Sequence, residues 1–227
     1  MASHNFTRLF AFFLLLIATE VNASFPDSSD NLLEFSLTAE HRDTQFIFPT
    51  NRLNTSFDSL DINWYEAFTS YFDAGIEIGN FDMTQASNSV TSARFTKGQF
   101  AGLLLRFIPL ESKHLNLNLN INYRYNQSNG TSLTQSSQFA WHQTLVSAEM
   151  QFPLSDVFRL FAAIEVQRIS GEQRDSGPIT KITSFSEKND PNYRLGLDFR
   201  SNKHHILRLN WLTGVTEGAS INFVYKF

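Results

Sequence analysis

The chain contains no cysteine. That absence excludes thiolate catalysis, thiolate metal sites and a disulfide framework, so the fold rests on burial and hydrogen bonding alone. A surplus of positive charge is also missing: 18 Lys and Arg stand against 22 Asp and Glu, a formal net charge of −4. Without it the chain cannot neutralise a phosphate backbone, which argues against a nucleic-acid partner. Long apolar runs are absent apart from Leu9 to Ala18, which argues against a polytopic helical membrane protein. Tryptophan and tyrosine are few, 3 and 6, whereas phenylalanine is abundant, 23 in 227 residues. The length suits one domain.

Residues 1–23 read as a cleaved signal peptide. Arg8 precedes the apolar run, and Val21-Asn22-Ala23 offers small residues before a cleavage ahead of Ser24. The run is too short for a spanning helix. Residues 24–227 are then the exported domain.

That domain has a period of two. In Leu115 to Asn126, Leu115, Leu117, Leu119, Ile121, Tyr123 and Tyr125 alternate with Asn116, Asn118, Asn120, Asn122, Arg124 and Asn126. Only a strand places these two sets on opposite faces. Similar alternation begins at Leu33, Leu60, Ala74, Ala101, Val146, Phe158, Tyr193, Leu207 and Ala219, about ten segments in all. Short connections at 67–71, 109–113, 153–156 and 201–204 take turns with longer polar ones at 42–55, 85–97, 127–138 and 170–192, and 213–218 is a shorter fifth. Sorting of this kind predicts an all-β, transmembrane, antiparallel up-and-down barrel of about ten strands, eight being possible.

Alternation alone does not say which face meets lipid. The polar face decides it: Glu34, Glu40, Glu77, Glu149, Glu165 and Asp198 share a surface with Arg106, Arg124, Arg159, Arg194, Arg200 and Arg208. Enclosed together, opposite charges pair and limit the desolvation cost, so this face lines the lumen. Aromatic residues gather at segment ends, Tyr123, Tyr125, Tyr193 and Trp211 beside long loops and Phe107, Phe152, Phe158 and Phe199 beside short turns, as two interfacial girdles would. Phe139, Trp141 and Leu145 point inward if their strand is uninterrupted, and a bulge is the competing reading.

The last segment, Ile221 to Phe227, with aromatics at Phe223, Tyr225 and Phe227, resembles the C-terminal assembly signal of bacterial outer-membrane β-barrel proteins. With the signal peptide and the alternating segments, the chain resembles the small barrels grouped around OmpA-type and OmpX-type domains. The resemblance implies insertion in the bacterial outer membrane by the barrel assembly machinery, short turns in the periplasm and long loops outside. It further implies a monomer in contact with outer-membrane lipid and lipopolysaccharide, without a cofactor. The expected role is non-enzymatic, structural or surface-interacting through the outer loops, whose Arg42, Arg52, Arg174 and Lys181 are candidate contacts for lipid phosphates. A narrow channel for small solutes is the alternative.

A rim hydrolase is a further alternative. His41 and His142 lie near the predicted outer rim, and Asp58 and Asp61 are the available aspartates, but no omptin motif surrounds them. His41 is followed by Arg42-Asp43 and His142 by Gln143-Thr144, so the His-x-Ser arrangement of lipid A deacylases is missing. His114, His204 and His205 fall at predicted periplasmic turns. No metal-ligand spacing occurs, and adjacent His204 and His205 on a strand would face opposite ways.

Overall fold

The computed structural model describes residues 33–86, 94–112, 114–131, 136–177, 180–187, 190–202 and 204–227; the predicted signal peptide lies outside them. Among the described residues eleven strands follow one another: β1 (Leu33–Ile47), β2 (Arg52–Thr69), β3 (Phe72–Gln85), β4 (Arg94–Glu111), β5 (Asn116–Thr131), β6 (Ser136–Pro153), β7 (Phe158–Ser176), β8 (Lys181–Glu187), β9 (Asn192–Arg200), β10 (His205–Thr213) and β11 (Glu217–Lys226). All pairings are antiparallel. Ten strands, all but β8, close into a ring in which β11 returns to β1, from Glu34 opposite Lys226 to Asp43 opposite Glu217. Closure satisfies every ladder in the wall, which lipid requires because it offers no hydrogen bonds.

The outward positions of this ring form an apolar belt. Leu60, Ile62 and Trp64, Ile76 and Ile78, Leu103 and Leu105, Ile121, Leu160 and Ile164, and Leu195 are all exposed. Tyr123, Tyr125, Tyr193 and Trp211 stand outward at the loop end of the belt, and Phe107, Phe152 and Phe158 stand outward at the turn end, where Phe199 rings against Phe158 at 5.5 Å. Above the belt the outward face turns polar at His41, Asp58, Asp82, Lys97, Gln127 and Arg168.

The wall does not stop there. Segments expected as loops are largely strand: β1 runs on to Ile47 and β2 starts at Arg52, so the connection expected over 42–55 shrinks to four residues, 48–51. The segment 170–192, expected as one long loop, instead holds the end of β7 and the additional strand β8. Strands β9, β10 and β11 end near the top of the belt, whereas β1 to β7 continue. Strand β8 fills their place, pairing with β7 from Ser170–Ser186 to Asp175–Lys181 and with β1 at Phe46–Glu187 and Ile47–Ser186. The barrel therefore narrows from a ring of ten strands to a ring of eight, β1 to β8. Strand β6 carries no bulge against β5 or β7, so Phe139 and Trp141 do point inward.

At the seam between the first and last strands, Glu34 receives both Nη atoms of Arg106 at 3.1 Å and lies 3.4 Å from Lys226 Nζ. Glu34→Ala leaves Arg106 with Asp73 alone and takes from Lys226 its carboxylate, and is expected to cost about 3 kcal/mol. Urea unfolding of the refolded barrel, read against Glu66→Ala on the outward face, checks this; equal midpoints for the two variants would contradict it.

Candidate functional site

The lumen of the ten-strand ring is polar because its inward positions carry the charges that alternate with the belt. Four of the arginines, Arg106, Arg124, Arg194 and Arg208, are bound by carboxylates from other strands. Arg106 also donates Nε to Asp73 at 2.6 Å. Arg124 donates Nε and Nη2 to the two oxygens of Glu77 at 2.9 and 2.8 Å. Arg208 binds Asp198 at 2.7 and 3.0 Å and Glu149 at 3.2 Å, and Arg194 meets Glu165 at 2.7 Å. Arg159 donates to Gln151, and Arg200 lines the turn-end mouth. Bidentate geometry of this kind offsets the cost of enclosing charge.

Between these clamps a cavity of about 790 Å³ remains. It reaches the turn end at Ser70, Ser112 and Asp156 and rises past the asparagine ladder to Glu40, Arg42, Gln143 and Asn210. None of the aromatic residues above it lines it.

Those residues fill the eight-strand ring. Phe46, Phe48, Leu53, Phe57, Phe81, Met83, Phe100, Phe139, Trp141, Ile169 and Phe185 form one buried cluster, with Phe46, Met83 and Phe139 at 0% exposure. Phe185 of β8 stacks on Phe46 at 4.6 Å between centroids, and Trp141 meets Phe81 edge-on at 5.4 Å. An eight-strand barrel has room only for side chains, so this cluster is a plug. Glycines opposite the rings make the packing possible: the ring of Phe100 lies where a Cβ on Gly79 would be, and that of Phe81 where one on Gly98 would be. At the border the two regimes touch, with the Arg124 guanidinium 4.1 Å from the Phe100 centroid.

A polar knot closes the step where three strands give way to one. Glu187, at the end of β8, accepts hydrogen bonds from Thr44, from Gln167 and from Thr216 Oγ1, the last at 3.1 Å. Thr216 N donates to Asn192 Oδ1 at 2.9 Å, and Arg42 Nη1 donates to Gln167 Oε1 at 3.0 Å. Arg42, offered by the sequence as an outer-loop contact for lipid phosphates, is thus a buried inward residue, because β1 continues through it with its parity kept. Arg174 faces outward 3.5 Å from Glu172, and Arg52 and Lys181 are exposed.

The rim residues are divided between the two faces of the wall. Asp58 is outward and Asp61 inward on the same strand, since their spacing is odd. His41 stands outward above the belt and donates Nδ1–H to Asp58 Oδ1 at 2.7 Å, with Nε2 3.4 Å from Asp43. Both ring nitrogens face carboxylates, and the nearby Ser56 hydroxyl donates to Asp43 rather than to the histidine. His142 bonds the Tyr123 hydroxyl at 2.7 Å. The other pair departs from the expectation of opposite faces: His204 and His205 both pack on Tyr225, at 6.1 and 5.0 Å. His204 precedes the strand, so strand alternation does not govern it. The turn-end terminus is fixed further by Phe227 N donating to Leu33 O at 3.0 Å.

The hydrogen bond to Asp58, followed by the charges of Asp58 and Asp43, raises the pKa of His41 above that of an ordinary histidine. A raised folded value means that this contact stabilises the barrel below the unfolded pKa and is lost as pH rises through the folded one. NMR titration is expected to give His41 a midpoint above that of an ordinary histidine, and Asp58→Asn to bring it down; an unchanged midpoint in that variant would contradict the pairing.

No family model and no curated protein sequence matches the chain. Solved structures do. The translocator domain of the autotransporter NalP from Neisseria meningitidis superposes with a TM-score of 0.52 at 8% identity, over 100% of this chain and 97% of that one. The outer membrane protease OmpT from Escherichia coli gives 0.52 at 11% identity, over 90% and 99%. At these identities the likeness is one of architecture: this chain has the fold of the transmembrane β-barrels of bacterial outer membranes.

Proposed function

We propose that the protein is a monomeric, non-enzymatic barrel of the bacterial outer membrane, closed to solute flow, with a structural or surface-interaction role played by its eight-strand extension above the lipid. The observation that carries this reading is the plug: a lumen open at the turn end runs into a packed aromatic core before it reaches the loop end. The fold and the apolar belt with its two aromatic girdles support the location. In that orientation the turn end is periplasmic, and Phe223, Tyr225 and Phe227 stand on the closing strand where the assembly machinery would read them. The ring leaves no unpaired edge in the belt, which favours a monomer. The outward collar just above the belt, including Lys97 and Arg168, is at the level of lipopolysaccharide phosphates.

The rim chemistry supports the non-enzymatic part. His41 donates Nδ1–H to Asp58, and its Nε2 side faces Asp43 and no hydroxyl, since Ser56 donates to Asp43.

Planar-bilayer recording tests the reading. The unaltered barrel is expected to pass no steady current, and a Phe57→Ser/Phe81→Ser/Trp141→Ser variant that still migrates as a folded barrel is expected to conduct. Steady conductance by the unaltered protein would instead make it the narrow channel.

A further inference from the structure

The blind end of the lumen has hydrogen-bond acceptors left over. Glu34, Asp73, Glu77, Glu149, Glu165 and Asp198 are each bound by an arginine. Two inward carboxylates just below the plug differ. Among the described residues Glu40 has no ion-pair partner, and Asp61, 4% exposed, receives only the amide of Asn63 at 3.0 Å. They are diagonal neighbours on β1 and β2, since Glu40 faces Ser59 and Asp61 faces Thr38. The neighbouring cations place their hydrogen bonds on other groups, Arg124 on Glu77 and Arg42 Nη1 on Gln167.

Independent groups around this pair point the same way. Gln143, 4% exposed, and Asn210, 7% exposed, spend their amide nitrogens on Gln167 at 3.0 Å and Ser220 at 2.8 Å. Their oxygens are buried without a partner, as are Asn63 Oδ1 and Asn222 Oδ1. All four residues line the same cavity as Glu40 and Asp61. Asn210 faces Ser220, and Ser220 faces Glu40, so these groups lie in one row across β10, β11 and β1. Buried acceptors without donors are costly, and around this pair four unpaired amide oxygens and two carboxylates without an ion-pair partner stand against one unpaired donor, Arg42 Nε, an excess complementary to a cation that carries only donors.

We propose that the blind end of the lumen is a binding site for the protonated amino group of a small solute entering from the turn end. An alkylammonium has three donors and no acceptor. Glu40 and Asp61 supply its counter-charge, and the oxygens of Gln143 and Asn210 complete its hydrogen bonds. A bare metal ion fits less well, because among the described residues no three carboxylate or imidazole side chains converge. The rest of the cavity, along Asn118, Asn120 and Asn122, takes the remainder of the solute.

Isothermal titration of the purified, full-length barrel with cadaverine at low ionic strength tests the site, with 1-pentanol as the neutral analogue. Saturable binding of cadaverine and none of pentanol is expected. Glu40→Gln/Asp61→Asn should weaken it by at least roughly tenfold, as loss of a charge-assisted pair would. Asp82→Asn, which alters an outward carboxylate, should leave it unchanged. Each variant is first shown to keep the heat-modifiable mobility of a folded barrel. No saturable heat, or equal affinity in Glu40→Gln/Asp61→Asn, would overturn the proposal and assign the acceptors to lumen water. Because binding is read at equilibrium and conductance across a bilayer, a failure here leaves the closed-barrel reading standing.

Discussion

Everything in this molecule depends on the number of strands that enclose its axis. Ten antiparallel strands make a cylinder slightly too wide for side chains to fill, and eight make one that they fill completely. The chain uses both rings in succession, with β8 replacing β9, β10 and β11 above the lipid. In the wide part, space remains for water and for arginines stretched across to carboxylates on other strands. In the narrow part, no such space exists, and rings replace ions.

The same constraint explains details that look unrelated. Rings turned inward need room at the wall, which Gly79 and Gly98 provide opposite Phe100 and Phe81. The border between regimes needs groups that satisfy both, and Arg124 does so by binding Glu77 while lying over Phe100. The step itself would leave backbone and side-chain polar groups at a broken edge. Glu187, Gln167, Thr44, Thr216 and Asn192 tie that edge together.

Within the belt, the sequence was fully legible. Leucine and asparagine alternating through β5 reveal strand, lipid face and lumen face at once, because lipid selects one face and the enclosed charges the other. Above the belt that contrast vanishes. Arg42-Asp43-Thr44-Gln45 alternates in space but not in hydropathy, so it reads as a loop. The narrow ring nevertheless left a signal, an inversion of apolar phase along single strands. In β2, Leu60, Ile62 and Trp64 are outward at even positions whereas Leu53 and Phe57 are inward at odd ones; in β3, Ile76 and Ile78 are outward whereas Phe81 and Met83 are inward. The inversion marks the level at which the surroundings change from lipid to water and the interior from water to aromatic. Strand β8 was not legible by any such rule, since its seven residues carry little pattern and its role is set by β1 and β7. The unpaired acceptors at the blind end were equally hidden, because pairing depends on which arginine reaches which carboxylate.

The central claim is that one continuous inward face is wet below and dry above. The absence of native cysteine makes a direct measurement possible, the reaction rate of single introduced thiols with a small, water-soluble methanethiosulfonate in the folded barrel. Asn118→Cys and Ser128→Cys lie inward on the same strand, the first in the lumen and the second at 0% exposure in the narrow ring. The account predicts rapid labelling at position 118 and none at 128 until the barrel is unfolded. Comparable rates at both positions would mean that water runs the length of the barrel, and would contradict it.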